Sequence, residues 1–188
     1  MDSEPTPLQK IIRRRRSIRR YLAAPVEKEK LQACLEAARL APSAHNAQSW
    51  RFLVIDDPEI KARYTETAFS GIYRMNRFAA QAPVLVLVLA RLDILANRLG
   101  RQVQGVNFYL LDIGIAGEHF VLQAEELGLS TCWIGWFNER ATKKILGVPG
   151  RKKIVCLIAL GYGEELPREK RRKATADVAS FNTYGQRH

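Results

Sequence analysis

The run Val84-Leu85-Val86-Leu87-Val88-Leu89-Ala90 constrains this chain more than any other stretch. Seven apolar residues without polar alternation read as a strand covered on both faces, so its sheet needs a layer of other elements on each side. With 188 residues, the chain can bury such a core as one domain or as a protomer of a compact oligomer. Counted from Ala82, the run is the longest apolar one in the chain. It contains Pro83 and falls well short of the roughly 20 residues that span a bilayer. The N-terminal arginines are followed by charged and amphipathic sequence rather than an apolar segment, so a cytoplasmic protein without a secretory signal is expected. Cys34, Cys132 and Cys156 are odd in number, far apart and set in apolar sequence. They read as buried small hydrophobes, not as a disulfide frame or a zinc site.

Around this strand, helical and extended patterns alternate. Thr6-Pro7 is a helix start, and Leu8, Ile11 and Ile12 follow at helical spacing, which carries residues 13–16 into the same helix. Residues 27–40 form a second helix with Leu31, Cys34, Leu35 and Ala38 on one face. Residues 51–56 read as a strand and 60–67 as a helix, whereas 68–81 lack periodicity and read as a loop or mobile cover. The helical pattern over 91–105 is weak. Residues 111–127 form a long helix stopped by Gly128, and its Gly114, Ala116 and Gly117 permit close approach of another helix, including one from a second subunit. Strands over 130–137 and 154–160 flank a short helix over 139–146 that Asn138 caps. The tail from Ala174 shows no core pattern and either frays or lies on a partner.

Between the second helix and the strand that follows lies Ala41-Pro42-Ser43-Ala44-His45-Asn46-Ala47-Gln48-Ser49-Trp50. Ser43, Asn46 and Gln48 offer donors and acceptors but no strong acid, base or metal ligand. Such a set suits hydrogen bonding to a planar, amide-edged ligand, which points to a cofactor site. An ordinary helix-stop loop accounts for the same residues. The net charge of +11 collects near the two chain ends, in Lys10, Arg13 to Arg16, Arg19 and Arg20, and again in Arg168, Lys170, Arg171, Arg172 and Lys173. Either a nucleic-acid or membrane surface, or a phosphate pocket with surplus charge around it, explains that distribution. Neither aromatic interleaving nor a recognition helix accompanies the clusters, and both would be expected of a nucleic-acid surface.

Arg15-Arg16-Ser17-Ile18-Arg19, the stretch from Ala41 to Phe52, Gly128-Leu129-Ser130-Thr131-Cys132-Trp133-Ile134-Gly135, and Leu160-Gly161-Tyr162 before a basic run together resemble, in order and spacing, the FMN-dependent nitroreductase family. The resemblance implies an α+β fold, an α/β/α sandwich with a mixed central sheet, built as an intertwined homodimer with two FMN sites at the interface. It implies a single domain over 1–188 whose tail, from about 164, extends over the partner subunit. It implies that Arg15, Ser17, Lys170 and Arg172 hold the FMN phosphate, with Arg171 or Lys173 able to replace Arg172, and that Arg16 and Arg19 approach the ribityl chain and pyrimidine edge. Pro42, Ser43 and Asn46, with Gln48 close by, come from the other subunit in that family. The turn Ile134-Gly135-Trp136 corresponds to the segment facing the flavin, with Gly135 the expected backbone donor to N5. This sequence departs there from members that carry an acidic residue and a glycine.

On that reading the flavin carries the chemistry and no side chain is catalytic; His45 is a spacer and Cys132 is packing. NADH or NADPH reduces FMN, and a nitroaromatic, a quinone or a similar electron-poor small molecule then takes the electrons in a ping-pong cycle. No nucleic-acid or membrane partner is called for. Two other readings remain open. One keeps the fold but assigns flavin-dependent dehalogenation or flavin fragmentation, with 68–81 or 91–105 as a substrate lid. The other is a non-enzymatic basic protein that binds nucleic acid, which predicts a colourless preparation with steeply salt-dependent binding.

Overall fold

The computed structural model describes residues 4–91, 105–164 and 170–186. Helix α1 spans Pro7–Arg14, α2 Lys28–Arg39, β1 Trp50–Ile55, α3 Pro58–Ala68 and β2 Val84–Ala90. After them come α4 over Phe108–Glu126, β3 over Ser130–Ile134, α5 over Glu139–Ile145, β4 over Lys153–Gly161 and the short α6 over Thr175–Val178. The starts obey local chemistry. Thr6 forms a reciprocal capping box with Gln9, Asp57 accepts from the Ile60 amide at 2.8 Å, and Asn138 accepts from the Ala141 amide at 3.0 Å.

The strands form one sheet in the order β1-β2-β4-β3, and every neighbouring pair is antiparallel. Every residue of β2 is buried, as its sequence demands. Val84, Val86, Val88 and Ala90 face a core built with α2 and α4, including Phe120, Val121 and Ala124. Leu85, Leu87 and Leu89 face a second core with Tyr64, Phe69 and Ile134 under α3. The three layers of the expected sandwich are therefore present. The mixed character of the sheet rests, among the described residues, on one isolated parallel bridge between Ser17 and Thr131.

Three local expectations change. Helix α1 ends at Arg14, so Arg15 and Arg16 lie in an extended link instead of continuing the helix. The cause is tertiary. The Ile18 amide donates to Thr131 O at 3.0 Å and Ile18 is buried, which needs an extended chain beside β3. The segment expected as a loop over 68–81 is instead a 3-10 helix over Gly71–Gln81. Its inward line repeats every three residues, with Tyr73 and Asn76 half-buried and Ala79 and Ala82 buried, as three residues per turn require, while Ile72 and Met75 are exposed. Gly117, expected where a second helix approaches, instead gives its space to Trp133: an added Cβ would lie 2.1 Å from the indole ring. No described helix is long and apolar enough to cross a membrane. Residues 92–104, where a lid was one expectation, lie outside the described residues.

Candidate functional site

The basic link after α1 is fixed along the outer edge of β3. Besides the Ser17–Thr131 bridge, the Leu22 amide donates to Tyr162 O at 2.9 Å, and the buried Tyr21 hydroxyl donates to Ile18 O at 2.8 Å. These bonds hold residues 15–19 beside the strand that ends at Ile134, just before the turn at Gly135 and Trp136. Arg15 is largely covered and lies 4.0 Å from Glu118 of α4. Lys170 donates from Nζ to Ile12 O at 2.5 Å, and its pKa is lowered by burial and then by the charges of Arg15, Arg16 and Arg172. The two basic runs, near opposite ends of the chain, thus share one locale, with Lys170 bonded 158 residues back to Ile12. Crowded cations, with Glu118 facing Arg15, create an attraction for a polyanion.

Arg16 donates from Nη1 to the carbonyls of Arg13, Arg14 and Arg15, satisfying the end of α1. Arg19 lies over the Phe78 ring, 5.7 Å from its centroid, in a cation–π contact with the 3-10 segment. That segment also clasps the turn after β3: Asn76 donates to Trp136 O at 2.7 Å, the Trp136 indole donates to Ile72 O at 3.3 Å, and the Tyr73 and Trp136 rings are 5.4 Å apart. Trp136 is 53% exposed, so it is no core aromatic within the chain. Apart from its chain neighbours Ile134 and Trp136, no described residue lies within 4 Å of where a Gly135 Cβ would be, which leaves its backbone approachable.

The amide-rich loop sits elsewhere. Ser43 to Gln48 precede β1, the opposite edge of the sheet, with β2 and β4 between that edge and β3. Three strand spacings separate the two edges by roughly 14 Å. His45, Asn46 and Gln48 all have positive φ, at 52°, 53° and 47°. That conformation is uncommon for residues with side chains and persists where surroundings fix it. Ser43 Oγ accepts from the Gln48 amide at 2.9 Å, and Gln48 Nε2 donates to Asn46 Oδ1 at 3.2 Å. Pro42, His45, Asn46 and Gln48 are exposed. One chain therefore brings together Arg15, Arg16, Ser17, Arg19, Ile134, Gly135, Trp136, Lys170 and Arg172, while Pro42, Ser43, Asn46 and Gln48 form a separate group.

A profile of the Nitroreductase family matches residues 12–162, about four-fifths of the chain. The chain belongs to the nitroreductase family. Among its relatives, a Thermus thermophilus protein described as NADH dehydrogenase is 33% identical over 178 residues, covering 81% of this chain and 84% of that protein. An FMN-dependent nitroreductase from Clostridium difficile superposes with a TM-score of 0.74 at 29% identity, covering 93% of this chain and 98% of its own. Another nitroreductase family protein from Clostridium difficile reaches 0.78 at 28% identity, covering 93% and 97%. Membership of this family marks the chain as an oxidoreductase. The profile match stops before Lys170 and Arg172, so their place beside Arg15 rests on the geometry alone.

Two acids were not singled out from sequence. Asp112, buried on α4, accepts from the Ala44 amide and from Ser49 Oγ, each at 3.0 Å, and so ties the loop to the helix. Glu118 stands about one and two-thirds turns further along and faces Arg15. The signal for Asp112 was available, because it is a lone acid on the stripe shared with Ile113, Ala116 and Phe120. The cysteines match the packing expectation: burial pushes the Cys34 and Cys156 thiols up to about 12. Burial also raises the Cys132 thiol, against the opposing charges of Arg19 and Arg15.

Proposed function

We propose that this nitroreductase-family protein is an FMN-dependent oxidoreductase that takes electrons from NADH or NADPH and delivers them to nitroaromatics, quinones or similar electron-poor acceptors by a ping-pong cycle. The observation that carries the reading is the division of polar recognition groups between two sheet edges: cations beside β3, amides and hydroxyls before β1. A nucleotide with a phosphate at one end and a hydrogen-bonding ring at the other needs both groups. Two copies of the chain can oppose the β3 edge of one to the loop of the other, whereas one copy cannot fold its two edges together.

The donor set fits FMN. Arg15, Lys170 and Arg172, with the Ser17 hydroxyl, supply charge-assisted bonds for a phosphate dianion. Arg16 and Arg19 serve the ribityl chain and the pyrimidine edge. The partner's loop, through Pro42, Ser43, Asn46 and Gln48, closes the other side of the ring. Bound FMN supplies hydride transfer at its N5 position; this chain's part is to orient the ring, offer the Gly135 amide toward it and control access. The homodimer this requires is supported by apolar side chains left open on α4, among them Leu111 and Ile115, and by an apolar groove of about 700 Å³ between α1, α2 and α4 lined by Leu8, Ile11, Leu40 and Leu122. Val178, Phe181 and Tyr184 of the tail are likewise exposed on the single chain, which suits a tail spread over the partner subunit.

The test is anaerobic titration of the FMN-loaded protein with NADH and, separately, NADPH, followed by exposure to a panel of quinones and nitroaromatics. Bleaching by at least one nucleotide and reoxidation by an acceptor are expected; a dimeric, flavin-loaded protein that neither nucleotide bleaches defeats the reading. Replacing His45 by Asn, which tolerates the same left-handed backbone, leaves the rate of flavin reduction within about twofold. Loss of the 10²–10⁴-fold that a general acid or base typically contributes shows instead that a side chain moves a proton in this half-reaction.

A further inference from the structure

The loop before β1 bends through three left-handed residues, yet its bonds to the rest of the chain are few. Inside it, the Asn46 amide donates to Ser43 O and the Ala47 amide to Ala44 O, both at 3.0 Å. These bonds shape the turn but do not say where it sits. Among the described residues its ties to the body are the Ala44 amide on Asp112 Oδ1, the Ser49 hydroxyl on Asp112 Oδ2, the Arg91 amide on Ser49 O at 2.7 Å, and a longer bond of 3.4 Å from Arg51 Nη1 of β1 to Gln48 O. Asp112 thus grips the loop at both ends of its bend with the two oxygens of one carboxylate. Asp112 is 3% exposed and Ser49 fully buried, so water cannot replace either bond cheaply.

The same helix reaches the other half of the site. Asp112 and Glu118 are six residues apart on α4, roughly 9 Å along the axis, and Glu118 faces Arg15. Between them Gly117 is filled by the Trp133 ring of β3. The helix is therefore locked to both sheet edges, and the carboxylate at position 112 sets the loop against that fixed frame.

Resting on the flavin reading above, we infer that Asp112 is a positioning residue for cofactor binding: it touches no ligand itself, but its two oxygens hold Ser43, Asn46 and Gln48 where a flavin ring can be gripped. Asp112→Ala lowers affinity for FMN and for riboflavin alike, by about tenfold, because the loop serves the ring and not the phosphate. Asp112→Asn restores most of it: the amide oxygen still accepts from Ala44, and the Ser49 hydroxyl can turn to accept from the amide nitrogen.

The experiment measures FMN and riboflavin dissociation constants by fluorescence quenching, well below each variant's melting temperature, with hydrogen exchange of the Ala44 amide followed in the flavin-free protein. Support is a parallel loss for both flavins in Asp112→Ala, faster exchange at Ala44, and rescue by Asn. Should Asp112→Ala fail to fold, Ser49→Ala, which removes one of the two bonds, shows a smaller loss of the same parallel kind. A folded Asp112→Ala, or in its place Ser49→Ala, that binds both flavins as tightly as the parent overturns the inference. So does an Asn variant as weak as Ala, since charge rather than the paired bonds would then matter. A parent protein that binds neither flavin removes the functional reading itself, and this inference with it.

Discussion

Arg15→Ala weakens FMN binding about 30-fold and leaves riboflavin binding where it was. The size follows from one charge-assisted hydrogen bond to a phosphate made in a largely covered position, worth about 2 kcal/mol, which converts to that ratio at about 1.4 kcal/mol per tenfold. The Arg15 side chain is only 18% exposed, so screening discounts its contribution little. The flavin pair makes the test specific, since the two ligands share ring and ribityl chain and differ only in the phosphate. Arg15→Lys recovers part of the loss, because an ammonium keeps the charge but not the planar fork. Glu118→Gln moves the other way, tightening FMN by a few-fold, because the carboxylate 4.0 Å from Arg15 competes with the phosphate for it. Equal losses for FMN and riboflavin in Arg15→Ala place the residue at the ring instead.

How much of this was legible depended on how local each signal was. The all-apolar run of β2 needs a layer on each side, and both cores are there because alternate β2 side chains feed them. Caps at Thr6 and Asn138 act within three residues, so those helix starts could be read directly, whereas α3, read as starting at 60, starts at Pro58 under the Asp57 cap. The end of α1 could not, since what stops it is a bond from Ile18 to Thr131 across the fold. Nor could the 3-10 segment, whose inward line of Tyr73, Asn76, Ala79 and Ala82 repeats at three residues and includes a polar side chain, while the helical test looks for apolar residues at 3.6. In the site, residue types announced the cations and the amide loop. Their assignment to opposite edges of one sheet needed the strand order, in which β1 and β3 are the outermost strands. Asp112 was passed over because a buried acid has meaning only through its partners, and these lie 63 and 68 residues away.

Gly161→Ala destabilises the protein by about 3 kcal/mol, more than either Gly117→Ala or Gly128→Ala, although the shortest predicted clash is at Gly117. What decides the order is whether the neighbour can yield. At Gly117 the added Cβ meets the far end of the Trp133 ring at 2.1 Å, but that indole is only half-buried and can swing on its own torsions, which limits overpacking to about 1–2 kcal/mol. At Gly128 there is open space and the cost is that of a side chain at φ 77°, about 1 kcal/mol. At Gly161 the Cβ meets Pro83 Cδ at 2.4 Å and Cγ at 2.8 Å, with Tyr21 at 3.1 Å on the other side. A proline ring has no torsion by which to retreat, so β2 and β4 must separate where Val84 pairs with Leu160. For a domain of this size the loss lowers the melting temperature by roughly 6–12 °C. It also reaches the site, because Tyr21 is the side chain whose hydroxyl holds Ile18 in the basic link, and a displaced Tyr21 loosens Arg15 to Arg19. Gly161→Ala is accordingly expected to weaken FMN binding as well as stability, while Gly128→Ala, remote from that link, lowers only the melting temperature. Thermal melts of the three variants with and without FMN check both halves: a Gly161→Ala protein that melts no lower than Gly117→Ala refutes the ranking by neighbour stiffness.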